Sequence, residues 1–320
     1  MASELVHEAV ESAGRWLTRD LVLHALFFLP QDRRNRLERW LRGRAEVARL
    51  RRADAVVVSY GKSGRTWLRA MLSRWFIRHH GLPTSRMMGF DNLHRLDPRV
   101  PKILFTHDNY IRSYTGNLDS KRDFYGKKVV LLVRHPADVA VSQYFQWKFR
   151  MRPRKKALNG YPEHGGELSV ADFLLDPDVG VPGVVRFFNG WSAERASLPQ
   201  LLVVRYEDLR RDTVKELARV LRFLGEAPSE AELADCVAFA SIENMRKLEE
   251  RAGGSWLAGS RMRPGDKANP DSFKVRRGKV GGWRDYVDDA QAVVIEALIE
   301  RELRPGFGYT AAEAKPAPVG

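Results

Sequence analysis

A run of β-branched residues that breaks into a short glycine loop constrains this chain more than any other feature. In "VVVSYGKSGRTWLRAML", residues 56–72, Val56 to Val58 read as strand and Ser59 to Gly64 as a tight turn. The sequence becomes amphipathic from Thr66. Strand, turn and helix in that order, with a lysine and two glycines in the turn, aim backbone N–H groups and one ammonium at an anion. The stretch reads as a phosphate-binding loop.

The same alternation repeats along the chain. Strands are expected at 55–59, 102–106 ("KILFT"), 128–133 ("KVVLLV") and 201–205 ("LLVVR"), with helices at 65–79, about 136–150 and 212–224. Short strands apolar on both faces, alternating with helices, predict an α/β fold with a central, mostly parallel sheet flanked by helices. Ligands of such sheets sit beyond the carboxyl ends of the strands. Two amphipathic helical stretches, 4–29 and 32–52, precede this pattern. The expected organisation is an N-terminal helical extension (1–52), a main domain (53–310) and a flexible tail (311–320). Two basic stretches rich in Gly and Pro, 150–168 and 253–282, read as irregular binding loops or lids.

Charge narrows the partners. Fifty-four Lys and Arg against 40 Asp and Glu give a formal net charge of +14 over 320 residues. Such a field favours phosphates, nucleic acid, acidic lipid, or a sulfated or carboxylated substrate. Nine arginines lie in 32–52, with Leu37, Trp40, Leu41, Val47 and Leu50 along one face. Such a helix either lies on an anionic membrane or packs its apolar face on the domain with its arginines solvated. The single cysteine, Cys236, excludes an internal disulfide and falls in an apolar helical pattern, as a buried thiol in a reducing cytoplasm would. Glu4, Glu8 and Glu11 precede the first apolar run, where a secretory signal carries positive charge. The longest apolar run, "LVLHALFFLP", is about half of the roughly 20 residues a bilayer-spanning helix needs. A cytoplasmic protein is expected, with peripheral membrane contact through 1–52 as the alternative. Arg and Ala usage points to a bacterial source.

A Walker A loop needs a glycine five residues before Gly61, and Val56 stands there inside the strand. The "LLVVR" strand ends in Arg205 where a Walker B strand carries aspartate. A Mg-ATP-dependent kinase of a small molecule is therefore an alternative rather than the first choice. A non-enzymatic basic protein on membrane or nucleic acid is a second alternative. Segment 32–52 lacks the aromatic interleaving of a single-strand binder, and no nucleic-acid partner is expected. A second anion site is legible in "VVLLVRHPADVAVSQYFQW". Arg134 ends a strand, Pro136 sits in the first helical turn where its missing N–H costs nothing, and Ser142 lies two turns in. A guanidinium and a hydroxyl so spaced clasp one anion.

The first loop resembles the 5′-phosphosulfate loop of the sulfotransferase family, roughly Tyr-Pro-Lys-Ser-Gly-Thr-Thr-Trp. Tyr60, Lys62, Ser63, Gly64, Thr66 and Trp67 match, with Gly61 for the proline and Arg65 for the first threonine. The second site is similar to the family's 3′-phosphate motif, Arg-x-Pro-x-Asp-x-x-x-Ser, through Arg134, Pro136, Asp138 and Ser142. "VVRYEDL" resembles the segment that brings a tyrosine, here Tyr206, near the nucleotide. "SIENM" resembles Ser-Phe-x-x-Met with Ile242 in the aromatic's place. "VRRGKVGGW" resembles the element that closes over the 3′-phosphate, through Arg276, Arg277, Gly278, Gly281 and Trp283. The resemblance spans about residues 53–309.

The resemblance implies a P-loop-like three-layer fold and 3′-phosphoadenosine 5′-phosphosulfate (PAPS) as co-substrate, without a metal. Lys62 to Trp67 would hold its 5′ end and Arg134, Ser142, Arg276, Arg277 and Gly278 its 3′-phosphate, with Trp67 on the adenine. Lys62 would also neutralise charge on the leaving oxygen. His107, in "KILFTHDNY", resembles the family's Lys-Thr-His base, with Phe105 for the lysine. Neutral imidazole suits that proton transfer near pH 7. Asp108 is a substitute base. The acceptor is expected to be a small-molecule or lipid-like hydroxyl compound, its pocket lined by loops 86–100, 108–122 and 150–168. The family's dimer segment, Lys-x-x-x-Thr-Val-x-x-x-Glu, is replaced by "RDYVDDAQAVV", so the oligomeric state is left open.

Overall fold

The computed structural model describes residues 21, 25–251, 265–266 and 268–314. Most of the expected first helix (4–29), residues 253–264 and 267 of the second glycine-rich stretch, and residues 315–320 of the expected tail lie outside the described residues.

Four short strands form one sheet: β1 (Ala55–Ser59), β2 (Ile103–Thr106), β3 (Lys128–Val133) and β4 (Leu201–Arg205). Their order is β2-β1-β3-β4, and every neighbouring pair is parallel. Strand side chains alternate between the two sheet faces, and both faces are covered. Val56, Val58, Val129, Leu131 and Val133 enter one core, and Ala55, Val57, Val130 and Leu132 the other.

The helices follow the strands. They are α1 (Gln31–Arg52), α2 (Arg65–His79), α3 (Ile111–Thr115), α4 (Pro136–Phe149), α5 (Pro153–Leu158), α6 (Val170–Leu175) and α7 (Val181–Ala193). After β4 come α8 (Tyr206–Arg211), α9 (Thr213–Leu224), α10 (Glu230–Phe239), α11 (Ile242–Arg251), α12 (Asp289–Glu302) and α13 (Ala311–Ala314). Residues of α4, α7 and α12 fill the first core, and those of α2, α9 and α10 the second. The strand–helix reading therefore agrees with the structure to within a residue or so at most ends. Stretch 150–168 departs from expectation, because it contains α5.

Helix α1 packs on the domain. Val47 and Leu50 join the first core, while Trp40 of the same expected apolar face remains 40% exposed. Gly43 allows the close approach to α3: a Cβ there would lie 2.2 Å from the Tyr110 carbonyl oxygen. Buried Glu38 binds Arg42 at 2.6 Å and Arg154 of α5 at 2.8 Å. No helix among the described residues is long and apolar enough to cross a membrane. Asp288, in the segment that departs from the family's dimer pattern, caps α12 with Gln291 in a reciprocal box.

Candidate active site

The carboxyl ends of the four strands open into one cavity of about 1730 Å³. Of the residues singled out from the sequence, Lys62, Gly64, Arg65, Thr66, Trp67, His107, Arg134, Ser142, Tyr206, Arg276, Arg277 and Gly278 all line it. Ser63 does not: its side chain is fully buried beneath the loop, and its hydroxyl has no protein partner.

The loop after β1 is wound tightly. Lys62 takes the left-handed conformation (φ 72°), uncommon for a residue with a side chain and a form of strain that collects at functional sites. Gly64 follows at φ 96° and starts α2. A Cβ on Gly64 would sit 2.6 Å from Tyr206 Cδ2. Gly64→Ala is therefore expected to cost roughly 1–3 kcal/mol, from left-handed strain and a displaced Tyr206. A lowered Tm together with weaker nucleotide binding would show both effects. An unchanged Tm would mean the loop relaxes freely.

Tyr206 joins three of the sequence motifs. Its ring carries the Arg134 guanidinium at 4.4 Å and meets Trp67 edge-on at 5.9 Å. Its hydroxyl donates to Gly278 O at 3.4 Å. Trp67 is oriented by donating its indole N–H to Ala240 O at 2.7 Å, and Arg210 lies over its ring. Ile242 does line the cavity, in the position expected of an aromatic. Arg134 donates to Lys279 O at 3.1 Å, while Asp138 accepts the N–H groups of Gly281 and Trp283 at 2.8 and 3.0 Å. The second motif thus binds the late glycine segment directly. Arg276 pairs with Asp271 at 3.3 Å and lies over Phe145. Arg277 pairs with Asp285 at 2.9 Å.

Charge in this half of the cavity is one-sided. Burial, then the cations Arg150, Arg134 and Arg276, push the Lys62 ammonium down from 10.5 to about 7 against the pull of Glu249. Lys274, absent from the sequence reading, is held well below its ordinary value by burial and by Lys62, Arg150 and Arg65. Fully buried Glu249 fixes this segment, accepting the N–H groups of Lys274 and Val275 at 2.6 and 2.8 Å and binding Arg150 at 3.2 Å. These cations lower one another's pKa, and an anion among them would relieve that repulsion.

His107 stands just past β2. Its Nδ1 lies 2.8 Å from Ser59 O and its Nε2 lies 2.7 Å from Arg65 Nη2. A carbonyl only accepts and a guanidinium only donates, so Nδ1 carries the proton and Nε2 presents a lone pair. Burial and the Arg65 charge hold the imidazole well below its usual pKa, and it is neutral near pH 7. Asp108, the substitute base, is 1% exposed and ion-paired to buried Lys121 at 2.8 Å.

Two further findings depart from the sequence reading. Loop 86–100 does not line the cavity; Met88, Leu93 and Val100 are buried in the second core. Segment 178–190 lines it instead, together with Arg39 and Glu46 of α1. Glu46 accepts from Thr106 Oγ1 at 2.9 Å, one residue before His107, and burial pushes its carboxyl upward. Nothing local in the sequence distinguishes Glu46 from the other charges of α1.

Comparison with known proteins agrees with this arrangement. The sulfotransferase domain model matches residues 52–306. Cytosolic sulfotransferase 12 of Arabidopsis thaliana is 26% identical over 274 residues, covering 79% of this chain and 78% of its own. Sulfotransferase 2A2 of Rattus norvegicus is 23% identical, covering 78% and 84%. Among solved structures, mouse sulfotransferase SULT7A1 complexed with PAP superimposes with a TM-score of 0.53 at 20% identity, covering 80% of this chain and 86% of its own. Retinol dehydratase in complex with androsterone and PAP also gives 0.53, at 19% identity, covering 83% and 82%. With a family match across most of its length, on a parallel sheet whose strand ends carry both anion-binding motifs, the chain belongs to the sulfotransferase family, the enzymes that transfer a sulfuryl group from PAPS.

Proposed function

We propose that this enzyme transfers the sulfuryl group of PAPS to a hydroxyl acceptor by in-line displacement, with His107 as general base. The observation that carries the reading is the cluster of Lys62, Arg134, Arg150 and Arg276 in the cavity that His107 also lines. Lys62 and the N-terminus of α2 would hold the phosphosulfate, and Arg134, Ser142 and the 276–278 segment the 3′-phosphate. The PAP in both solved relatives supports the choice of nucleotide.

The residues suit each step. The acceptor O–H proton passes to His107 Nε2 as the new oxygen–sulfur bond forms. The bond between sulfur and the 5′-phosphate oxygen breaks, and Lys62 neutralises the charge left on that oxygen. Arg65 covers Nε2 in the free enzyme, so it must turn away before an acceptor hydroxyl can bond there. The phosphosulfate is the natural new partner for its guanidinium. Donor would therefore bind before acceptor. A cytoplasmic setting is supported by the lone, buried Cys236, whose thiol burial pushes up to about 12.

The test is calorimetric titration with adenosine 3′,5′-bisphosphate in the presence of a chelator, with ATP–Mg²⁺ as the comparison. Metal-free binding of the bisphosphate is expected, and Arg134→Ala should weaken it by about 10- to 100-fold, the worth of a charge-assisted pair. Binding of ATP–Mg²⁺ alone would replace this reading with a small-molecule kinase.

A further inference from the structure

His107 sits in a strained turn that needs support from outside. It follows β2, between Thr106 and Asp108, and Asp108 takes a left-handed backbone (φ 58°). Among the described residues, Lys62 is the only other non-glycine residue with a positive φ. Such a conformation persists where the surroundings over-determine it. Here the Asp108 N–H donates to Thr106 Oγ1 at 2.9 Å, and the Asp108 carboxylate binds Lys121 at 2.8 Å. The first of these bonds depends on a third residue. A hydroxyl has one proton, and when its oxygen accepts from Asp108 that proton needs an acceptor elsewhere. Thr106 is buried, so water is a poor source of one. Glu46 of α1 supplies it: Thr106 Oγ1 donates to Glu46 Oε2 at 2.9 Å, across 60 positions of sequence.

Glu46 belongs to one face of α1. Arg39, Gly43 and Glu46 fall at i, i+4 and i+7, the spacing of a single helical stripe. All three meet the segment that carries His107. Arg39 donates to Asn109 O at 3.0 Å. Gly43 admits the Tyr110 carbonyl at a distance that a side chain there would forbid. Glu46 takes the Thr106 proton. The stripe thus holds the chain on both sides of His107, while Ser59 O and Arg65 hold the ring itself. These three residues precede the span 52–306 that the family model matches, so the support comes from outside the matched domain.

We propose that α1 is the brace that aims the base, with Glu46 as its positioning residue: by accepting from Thr106, Glu46 fixes the 106–108 turn and so holds His107 between Ser59 and Arg65. Its value to catalysis rests on the sulfuryl-transfer reading, which gives His107 the base role. Glu46 acts here as a hydrogen-bond acceptor and not through its charge, because Thr106 needs only an oxygen lone pair. Protonated or ionised, the carboxyl keeps such an oxygen. The geometry matters because a misplacement of about 1 Å can cost a reacting group about 10²-fold in rate. A turn released from α1 would let the ring leave Ser59 O, lose its fixed tautomer and carry Nε2 away from the acceptor hydroxyl.

The test reads the His107 ring by proton–nitrogen NMR of the full chain labelled on histidine, from about pH 5.5 to 8, with neither donor nor acceptor present. Among the eight histidines its signals are those missing from His107→Ala. Wild type is expected to show one tautomer, protonated at Nδ1, and no titration across this range. Glu46→Leu and Thr106→Val remove the acceptor and the donor with little change of volume. Each should release the ring, giving mixed tautomers and a pKa moved at least about one pH unit back toward the ordinary value. Glu46→Gln keeps an oxygen for Thr106 and should preserve the wild-type pattern. The double variant should be no worse than either single one, since both break the same bond. A wild-type pattern in Glu46→Leu, or in Thr106→Val should Glu46→Leu fail to fold, overturns the proposal. So does a ring as disturbed in Glu46→Gln as in Glu46→Leu, which would make charge the operative feature, and so do mixed tautomers in the wild type. Failure of the wild type to bind adenosine 3′,5′-bisphosphate would overturn the sulfuryl-transfer reading instead, and the ring pattern would still decide the brace.

Discussion

His107→Ala is expected to lower kcat by about 10²–10⁴ and to leave the affinity for adenosine 3′,5′-bisphosphate within about twofold. The imidazole touches Ser59 O and Arg65, and its loss leaves Arg65 its charge, while Lys62, Arg134 and the 276–278 segment proposed for the nucleotide lie on other loops. A lost base thus separates from a lost donor site: calorimetry reports the second, and single-turnover transfer from labelled donor the first. The pH profile adds a signature. In the proposed mechanism the neutral imidazole is the active form, and burial and Arg65 hold its pKa well below 6.5. Wild-type transfer in the single-turnover step should therefore keep its rate below pH 6.5, and lose it only as pH falls through the depressed pKa. Full activity in His107→Ala would transfer the base role elsewhere, with Glu46 the first candidate by position.

Lys62 carries the second large effect. Removing it by Lys62→Ala should cost about 10²–10³ in kcat, the scale of one lost charge-stabilising donor, and weaken the nucleotide as well. A pH dependence follows from its lowered pKa. In the free enzyme the ammonium titrates at about 7. A bound dianion favours the charged form and raises that value. Below about 7 the lysine is charged in both states and affinity is flat. Between the free and the raised value, binding must take up a proton, so affinity falls by up to about tenfold per pH unit. Titration at pH 8 in buffers of different ionisation enthalpy should register that uptake. Lys62→Ala should abolish much of it, with Lys274 as the remaining source. Binding at pH 8 without proton uptake in the wild type would mean that Lys62 is already fully charged in the free enzyme.

Much of this protein was determined locally and was therefore legible in the sequence. Val56 to Val58 must be strand because β-branched residues fit a pleated surface. Both faces of β1 are buried because helices cover both sides of a parallel sheet. The turn at Tyr60 to Gly64 and the stretch from Arg134 to Ser142 each lie within about a dozen residues. Spacing alone places such groups at a strand end and a helix start, and all but Ser63 of the named residues reach the cavity. Ser63 shows the limit of such a reading. A motif names the residues of a tight loop, but the winding of that loop decides which side chain faces inward.

Tertiary structure decided what depends on segments distant in sequence. The contact of Arg65 with His107 joins residues 42 apart, and the Lys62 pKa is lowered by burial and then by Arg150, Arg134 and Arg276 from three separate stretches. Helix α1 had two readings, membrane surface or domain packing, because amphipathicity specifies an apolar face without specifying what covers it. The fit of Gly43 against Tyr110 brings α1 onto the domain and carries Arg39 and Glu46 to the cavity wall. Local hydrogen bonding and side-chain periodicity act over a few residues, so they fix elements and loop chemistry. Electrostatic fields and close packing act through space between distant segments, so the lowered pKa of Lys62 and the contact of Arg65 with His107 arise only once those segments meet.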